Sequence, residues 1–229
     1  ILTGPWFISG NLVILRKGES LGSFWGYKRE GIWGEDEAEE AKAAGAGVGQ
    51  PKRSKDREIL GKGLPDVTGS FINNFRYKNF DLTVDLQFVL GVDVYQQFLH
   101  STEDRFGIAN ALSSVLSEGW TPANTNTMIP ALYSQNSQPD SHWVANGSYL
   151  RANLIQLGYT FEPSVLKALH LGSLRAYFSV NNAFCITSKD FKGYDPEGTS
   201  QGTDQWGQNI MFFQYPKPRT YTLGVNVSF

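Results

Sequence analysis

The last ten residues alternate without a break. Tyr221, Leu223, Val225, Val227 and Phe229 take every second position, with Thr222, Gly224, Asn226 and Ser228 between them. A period of two puts the apolar set on one face of a strand and the small polar set on the other. A strand that is apolar along one whole face must lay that face against something equally apolar. The choices are a second sheet or lipid.

The same pattern recurs upstream. Phe80, Leu82, Val84, Leu86, Phe88 and Leu90 alternate with Asp81, Thr83, Asp85, Gln87 and Val89. Two aspartates aimed into the dry core of a sandwich would be costly; aimed into a water-filled barrel they are solvated. Residues 67–77 place Phe71, Phe75 and Tyr77 opposite Thr68, Ser70, Asn74 and Arg76, and Lys78-Asn79 is short enough for a hairpin turn. Residues 148–161 change parity midway, which predicts a bulge near Asn153. In 174–184, Leu174, Ala176, Phe178 and Val180 oppose Arg175, Tyr177, Ser179 and Asn181. With 6–16, 22–34 and 220–229, the pattern predicts about seven strands. Short turns at 17–21, 78–79 and 162–173 alternate with long loops at 35–66, 92–147 and 185–215. Short helices are expected at 35–42 and 108–117.

Sorting turns by length is a habit of transmembrane barrels, whose periplasmic turns are short and extracellular loops long. The expected fold is therefore all-β, a transmembrane antiparallel β-barrel. Seven strands do not close one, so the chain reads as an arc of a larger barrel. Composition fits and narrows the function classes. Aromatics make up 14% and the net charge is -2, which gives no electrostatic footprint for nucleic acid. Cys185 is the single cysteine, so a disulfide framework and a cysteine metal cluster are excluded. No apolar run reaches the roughly 20 residues of a membrane helix, whereas barrel strands need only about 9–11. The chain opens on Ile1-Leu2-Thr3 with no basic leader and is expected to be part of a longer polypeptide.

Several segments resemble SusC/RagA-type TonB-linked outer-membrane proteins of Bacteroidetes. Gly22-Ser23-Phe24-Trp25-Gly26-Tyr27-Lys28 followed by Gly31-Ile32-Trp33 is similar to that family's Gly-Ser-Phe-Tyr-Gly-Tyr and Gly-Ile-Phe segment. Tyr77-Lys78-Asn79-Phe80-Asp81-Leu82 matches its hairpin, and Asn146-Gly147-Ser148-Tyr149-Leu150-Arg151 with Leu157-Gly158-Tyr159-Thr160 its next strand. Gly193-Tyr194-Asp195-Pro196-Glu197 and Tyr215-Pro216-Lys217-Pro218-Arg219-Thr220-Tyr221 resemble the stretches before its last strand. The resemblance implies a TonB-dependent transporter with a barrel of roughly 22 strands closed by a plug. Residues 1–229 would be the C-terminal portion of that barrel, with the plug domain outside this chain. It also implies import of glycans or peptides, energy from the TonB complex, a SusD-like surface lipoprotein as partner, and outer-membrane lipid as surroundings. The family's acidic Asn-Gly-Asp-Gly loop is replaced here by a Gly-rich, basic stretch at 45–58, so no calcium loop carries over. Two other readings remain: a soluble glycan-binding β-domain, and a complete small outer-membrane barrel with a structural or adhesive role.

Candidate residues follow from these faces. Asp81, Thr83, Asp85, Gln87, Arg175 and Asn181 are expected on a barrel's lumen wall. Tyr221, Leu223, Val225, Val227 and Phe229 are expected to face lipid and to form the signal read by the outer-membrane assembly machinery. No cofactor, metal or catalytic residue is expected: His100, His142 and His170 lack metal-ligand spacing, and no nucleophile or phosphate-loop motif is present. Asp195, Glu197 and Asp204, and the basic run Lys52, Arg53, Lys55 and Arg57, read as solvated loop charge. Trp25, Tyr27, Trp33, Trp120, Trp143 and Trp206 read as girdle or loop-packing residues.

Overall fold

A computed structural model describes residues 12–105, 107, 109–135, 138–197 and 208–229, and the backbone of 6–9. In chain order the strands are β1 (Trp6–Ser9), β2 (Val13–Arg16), β3 (Ser23–Ile32), β4 (Pro51–Lys62), β5 (Val67–Tyr77), β6 (Phe80–Leu90), β7 (Asp93–Gln96), β8 (Val144–Asn146), β9 (Tyr149–Thr160), β10 (Ser173–Thr187), β11 (Ile210–Met211) and β12 (Thr220–Ser228). The α-helices are α1 (Ala38–Ala43), α2 (Ser113–Glu118) and α3 (Pro163–Leu169). The chain divides into two compact units, one of residues 1–64, 92–146 and 190–214, the other of residues 65–91, 147–189 and 215–229.

The second unit is a five-stranded antiparallel sheet in the order β12-β10-β9-β6-β5. Its register sorts the side chains into rows. Phe75, Leu82, Leu157, Phe178 and Leu223 stand side by side across all five strands. The adjacent row, on the opposite face, is Asn74, Thr83, Gln156, Ser179 and Thr222. The apolar rows are open: Phe75 is 58% exposed, Leu157 48%, Phe178 45% and Leu223 80%. A sheet face built mainly of open aromatic and aliphatic side chains is far more than a water-soluble surface carries as scattered apolar residues.

The expected bulge lies at Asn153. Asp85 pairs with Leu154 and Leu86 with Ala152, so Asn153 is the extra residue, and its amide donates to Gln87 at 3.0 Å. β10 answers with its own irregularity between Asn181 and Phe184 and continues to Thr187, beyond the expected end at 184. The turn region 162–173 contains α3, which starts on Pro163 and ends on His170 in the left-handed conformation.

The first unit contains a sheet in the order β1-β2-β3-β4 and a small one in the order β11-β7-β8. Here the seven-strand expectation is corrected: the expected loops 92–147 and 185–215 contain the short strands β7, β8 and β11, and two further segments differ. Residues 6–16 form a hairpin of β1 and β2 rather than one strand. Residues 35–66 are not all loop, because β4 pairs with β3 over most of its length. Seven of its residues, Lys52 to Glu58, are charged or polar, so β4 has no apolar alternation to announce it; the edge of β3 imposes the strand. The expected helix at 35–42 is a short 3-10 turn at Glu35–Glu37 followed by α1. The helix expected at 108–117 is shorter, at α2. Val13, Phe24, Tyr95, Leu99, Trp143 and Ile210 form the main core of this unit, and Ile32, Trp120 and Ala131 a second. Trp33, Trp120 and Trp143 are buried, so they pack loops. Trp206 and Asp204 lie outside the described residues.

Candidate functional site

The sheet unit gathers the expected polar residues on one face. Asp81, Thr83, Asp85 and Gln87 alternate along β6, and Arg175 and Asn181 share their face from β10. The structure also joins two of them. Arg175 donates to Asp81 through Nε at 3.0 Å and Nη2 at 2.5 Å, reaching across β9. The ion pair passes over Gly158, where a Cβ would stand 2.6 Å from the Asp81 carboxylate. Gly158→Val should therefore dislodge the pair. A partly exposed pair contributes only about 1 kcal/mol, so the expected loss is about 1–2 kcal/mol once overpacking is added, read as a lowered unfolding midpoint.

Tyr221, Leu223, Val225 and Val227 alternate along β12 on the apolar face, and Phe229 follows the strand almost fully exposed. β12 pairs with β10 from Ser173↔Ser228 to Asn181↔Thr220, as the alternation of both segments requires.

The other unit holds a feature that the residue pattern does not announce. Arg29 of β3 is fully buried between Asp104 and Asp140, both without exposed side-chain surface. Its Nε donates to Asp140 at 3.0 Å, Nη2 donates to Asp140 at 2.7 Å and to Asp104, and Nη1 donates to the Met128 carbonyl at 2.8 Å. Trp143 Nε1 donates to Asp104 at 2.8 Å and Arg53 Nε to Asp140 at 3.0 Å. The carboxylates of Asp104 and Asp140 balance the charge of the buried guanidinium. Gly26 makes room for this. Its backbone approaches Pro139, a Cβ there would meet the Pro139 carbonyl at 2.7 Å, and Tyr27 donates its N–H to that carbonyl at 3.1 Å. Asp140 is thereby laid against β3.

Glu103, next in sequence, faces the third long segment. Lys192 Nζ donates to its two oxygens at 2.9 and 3.2 Å, and His142 Nε2 lies 3.3 Å from it. The Glu103-Asp104 dipeptide thus ties together β3, the 92–146 insertion and the segment beginning at 190. Burial works to raise the Glu103 carboxyl, but the hydrogen bonds and charge of His142 and Lys192 prevail and hold its pKa at about 2. The folded pKa is below the unfolded one, so the stabilisation is complete above pH ~4.5 and is lost as pH falls towards 2. Glu103→Gln should flatten the stability profile in that window, removing up to about 3 kcal/mol of pH-dependent stability.

Two expectations of solvated charge are corrected here. Asp195 is buried, and its Oδ1 accepts the Glu197 N–H at 3.0 Å. The basic run sits on β4, where Lys52 pairs with Glu37, Arg53 with Asp140, and Arg57 lies over the Tyr27 ring at 5.0 Å. Among the described residues there is no cluster of potential metal ligands, and no helix is long and apolar enough to cross a membrane.

A β-sheet with one face mainly polar and the other mainly apolar and open has the pattern of a transmembrane barrel wall. Comparison with known proteins agrees. A TonB-dependent receptor (P3) of Formosa agariphila is 31% identical over 240 residues, covering 97% of this chain and 24% of that protein. The TonB-dependent receptor SusC of Bacteroides thetaiotaomicron is 31% identical over 179 residues, covering 77% and 16%. The RagAB peptide importer in its closed-closed state superposes over 100% of this chain and 25% of that chain, with a TM-score of 0.75 and 26% identity. A second RagAB peptide transporter structure, 24% identical with a TM-score of 0.77, shares the fold. No family model matches the chain. By sequence and fold, this chain belongs with the SusC/RagA-type TonB-dependent receptors, and its fold is that of their β-barrel. It spans about a quarter of the length of the first relatives it matches.

Proposed function

We propose that residues 1–229 form the C-terminal part of the barrel of an outer-membrane TonB-dependent importer, whose plug domain lies elsewhere in the protein. The cargo is a glycan or a peptide, taken up with a SusD-like surface lipoprotein and driven by the TonB complex. The observation that carries this reading is the open apolar row Phe75, Leu82, Leu157, Phe178 and Leu223 backed by a polar row one residue away. Lipid covers the first and lumen water the second.

On this reading Asp81, Thr83, Asp85, Gln87, Arg175 and Asn181 line the lumen, and the Arg175–Asp81 pair is part of its wall. Tyr221, Leu223, Val225, Val227 and Phe229 face lipid and present the assembly signal. The relatives' names, receptors and an importer, favour transport over catalysis. The likeness to the RagAB peptide importer supports peptides as cargo, and the kinship with SusC supports the lipoprotein partner.

The test is uptake by cells lacking the protein. Loss of uptake of one labelled glycan or peptide class, reproduced by removing TonB, and recovery of a surface lipoprotein with the detergent-extracted protein are the expected results. Recovery of the protein in a soluble fraction would sink the reading.

A further inference from the structure

We propose that α3 is an interfacial helix: its apolar stripe sinks into the edge of the lipid layer where the strands of the second unit turn, and Lys167 stays at the phospholipid headgroups. Val165, Leu166 and Leu169 fall within about 100° of one another around a helix, and Ser164 and Lys167 lie on the other side. None of the helix is buried among the described residues; Val165 is 39% exposed and Leu169 54%. So short a helix is marginal in water, where stability comes from burying an amphipathic face. Its ends are fixed. Pro163 opens the first turn, Leu171 donates its N–H to the Leu166 carbonyl at 3.0 Å, and Gly172 donates to the Ser228 carbonyl at 2.8 Å. The stripe is held in one place, and the described residues leave it uncovered.

Position points to lipid as the cover. The row Tyr77, Phe80, Tyr159, Ala176 and Val225 crosses all five strands at this end of the apolar face. The Tyr159 ring stands 4.8 Å from that of Phe80 and 5.1 Å from that of Phe161. Aromatic rings in such a belt mark the headgroup level of a barrel wall. Pro163 follows Phe161 by two residues, so α3 starts at that level and extends the apolar surface.

A protein partner fits less well. A stable protein interface takes about 800 Å² from each side and is fixed by hydrogen bonds, whereas this stripe is three aliphatic side chains with no polar group among them. Lipid needs no register. The hydrogen bond from the Thr160 N–H to the Asn79 carbonyl, at 2.8 Å, brings the 78–79 turn alongside. Lys78 and Lys167, both exposed, supply positive charge for phosphate headgroups against the single carboxylate of Glu162 in these two turns.

This placement of α3 rests on lipid covering the apolar rows, so both are probed together. Ile155→Cys, Ser164→Cys, Val165→Cys and Leu169→Cys are made singly in a Cys185→Ser background and labelled with a fluorophore. The whole protein is reconstituted into vesicles of phosphatidylcholine and phosphatidylglycerol, brominated either near the headgroup or deep in the acyl chain. Labels at 165 and 169 should be quenched by the shallow bromine and little by the deep one, and the label at 164 by neither. The label at 155, about 13 Å along β9 from Tyr159, should be quenched by the deep one. Quenching at 155 with none at 165 and 169, or equal quenching at 164 and 169, would overturn the proposal and leave the barrel reading standing. No quenching at 155 would overturn both. Trypsin gives a second readout, because it cuts after Lys167 only when α3 is released. Val165→Asp with Leu169→Asp should raise that cleavage in vesicles at least about tenfold while the heat-resistant folded band persists. An unchanged cleavage rate would overturn lipid as the cover.

Discussion

Leu157→Arg should prevent stable assembly of the sheet, whereas Gln156→Arg, one residue away on the same strand, should be tolerated. Leu157 stands between Leu82 and Phe178 in the apolar row, and Gln156 between Thr83 and Ser179 in the polar row. If lipid covers the first row, an arginine there costs about 2–4 kcal/mol near mid-depth, and no neighbouring polar group offsets it. On the other face it meets water and the carboxylates of β6. The measurement is the heat-resistant folded band of each variant after outer-membrane extraction. Loss of that band for Leu157→Arg alone is expected. In the sheet by itself the apolar row is the more open of the two, so exposure alone would favour the arginine at 157; the expected asymmetry comes from what covers each face.

The second large effect is at Arg29. Arg29→Met removes the guanidinium that bridges Asp104 and Asp140 among the described residues, and leaves two buried carboxylates with only the flank of Arg53 on Asp140 and the Trp143 N–H on Asp104. Breaking a buried pair from one side costs about 3–5 kcal/mol. The expected outcome is a body whose segments 92–146 and 190–214 lose protease resistance, with the Trp143 emission shifted because its Nε1–H bond to Asp104 is disturbed. Replacing all three, Arg29→Met with Asp104→Leu and Asp140→Leu, should recover part of the stability, since a packed apolar cluster avoids desolvation. What it should not recover is the single arrangement of the segments. The expected role of the network is to fix the arrangement rather than to add net energy: Arg29 reaches both aspartates and the Met128 carbonyl at once.

How much of this was legible follows from range. Alternation is local, so the faces of β5, β6, β10 and β12, the hairpin at Lys78-Asn79 and the bulge at Asn153 could be read from neighbouring residues. The Arg29 network joins residues 75 and 111 positions apart in the chain, and nothing near Asp104 or Asp140 marks them as partners. The same holds for Arg175 with Asp81: each was expected on the polar face, but their meeting depends on Gly158 lying between them on β9. β4 was illegible for a different reason. Its strand is imposed by β3, and its charged residues find their partners Glu37, Asp140 and Tyr27 at distant positions in the chain. The insertions looked like loops because their apolar residues, Val94, Tyr95, Leu99 and Trp143, pack without any period.

The most direct measurement follows residues 154 to 158 and their neighbours on β6 with a fluorescent label. Single cysteines are introduced in a Cys185→Ser background, and quenching by brominated lipid is recorded position by position. The lipid-facing account predicts quenching that alternates: strong at Ile155 and Leu157 and at Val84 and Leu82, weak at Gln156 and at Thr83 and Asp85. Quenching that is absent, or equal on the two faces, would contradict it.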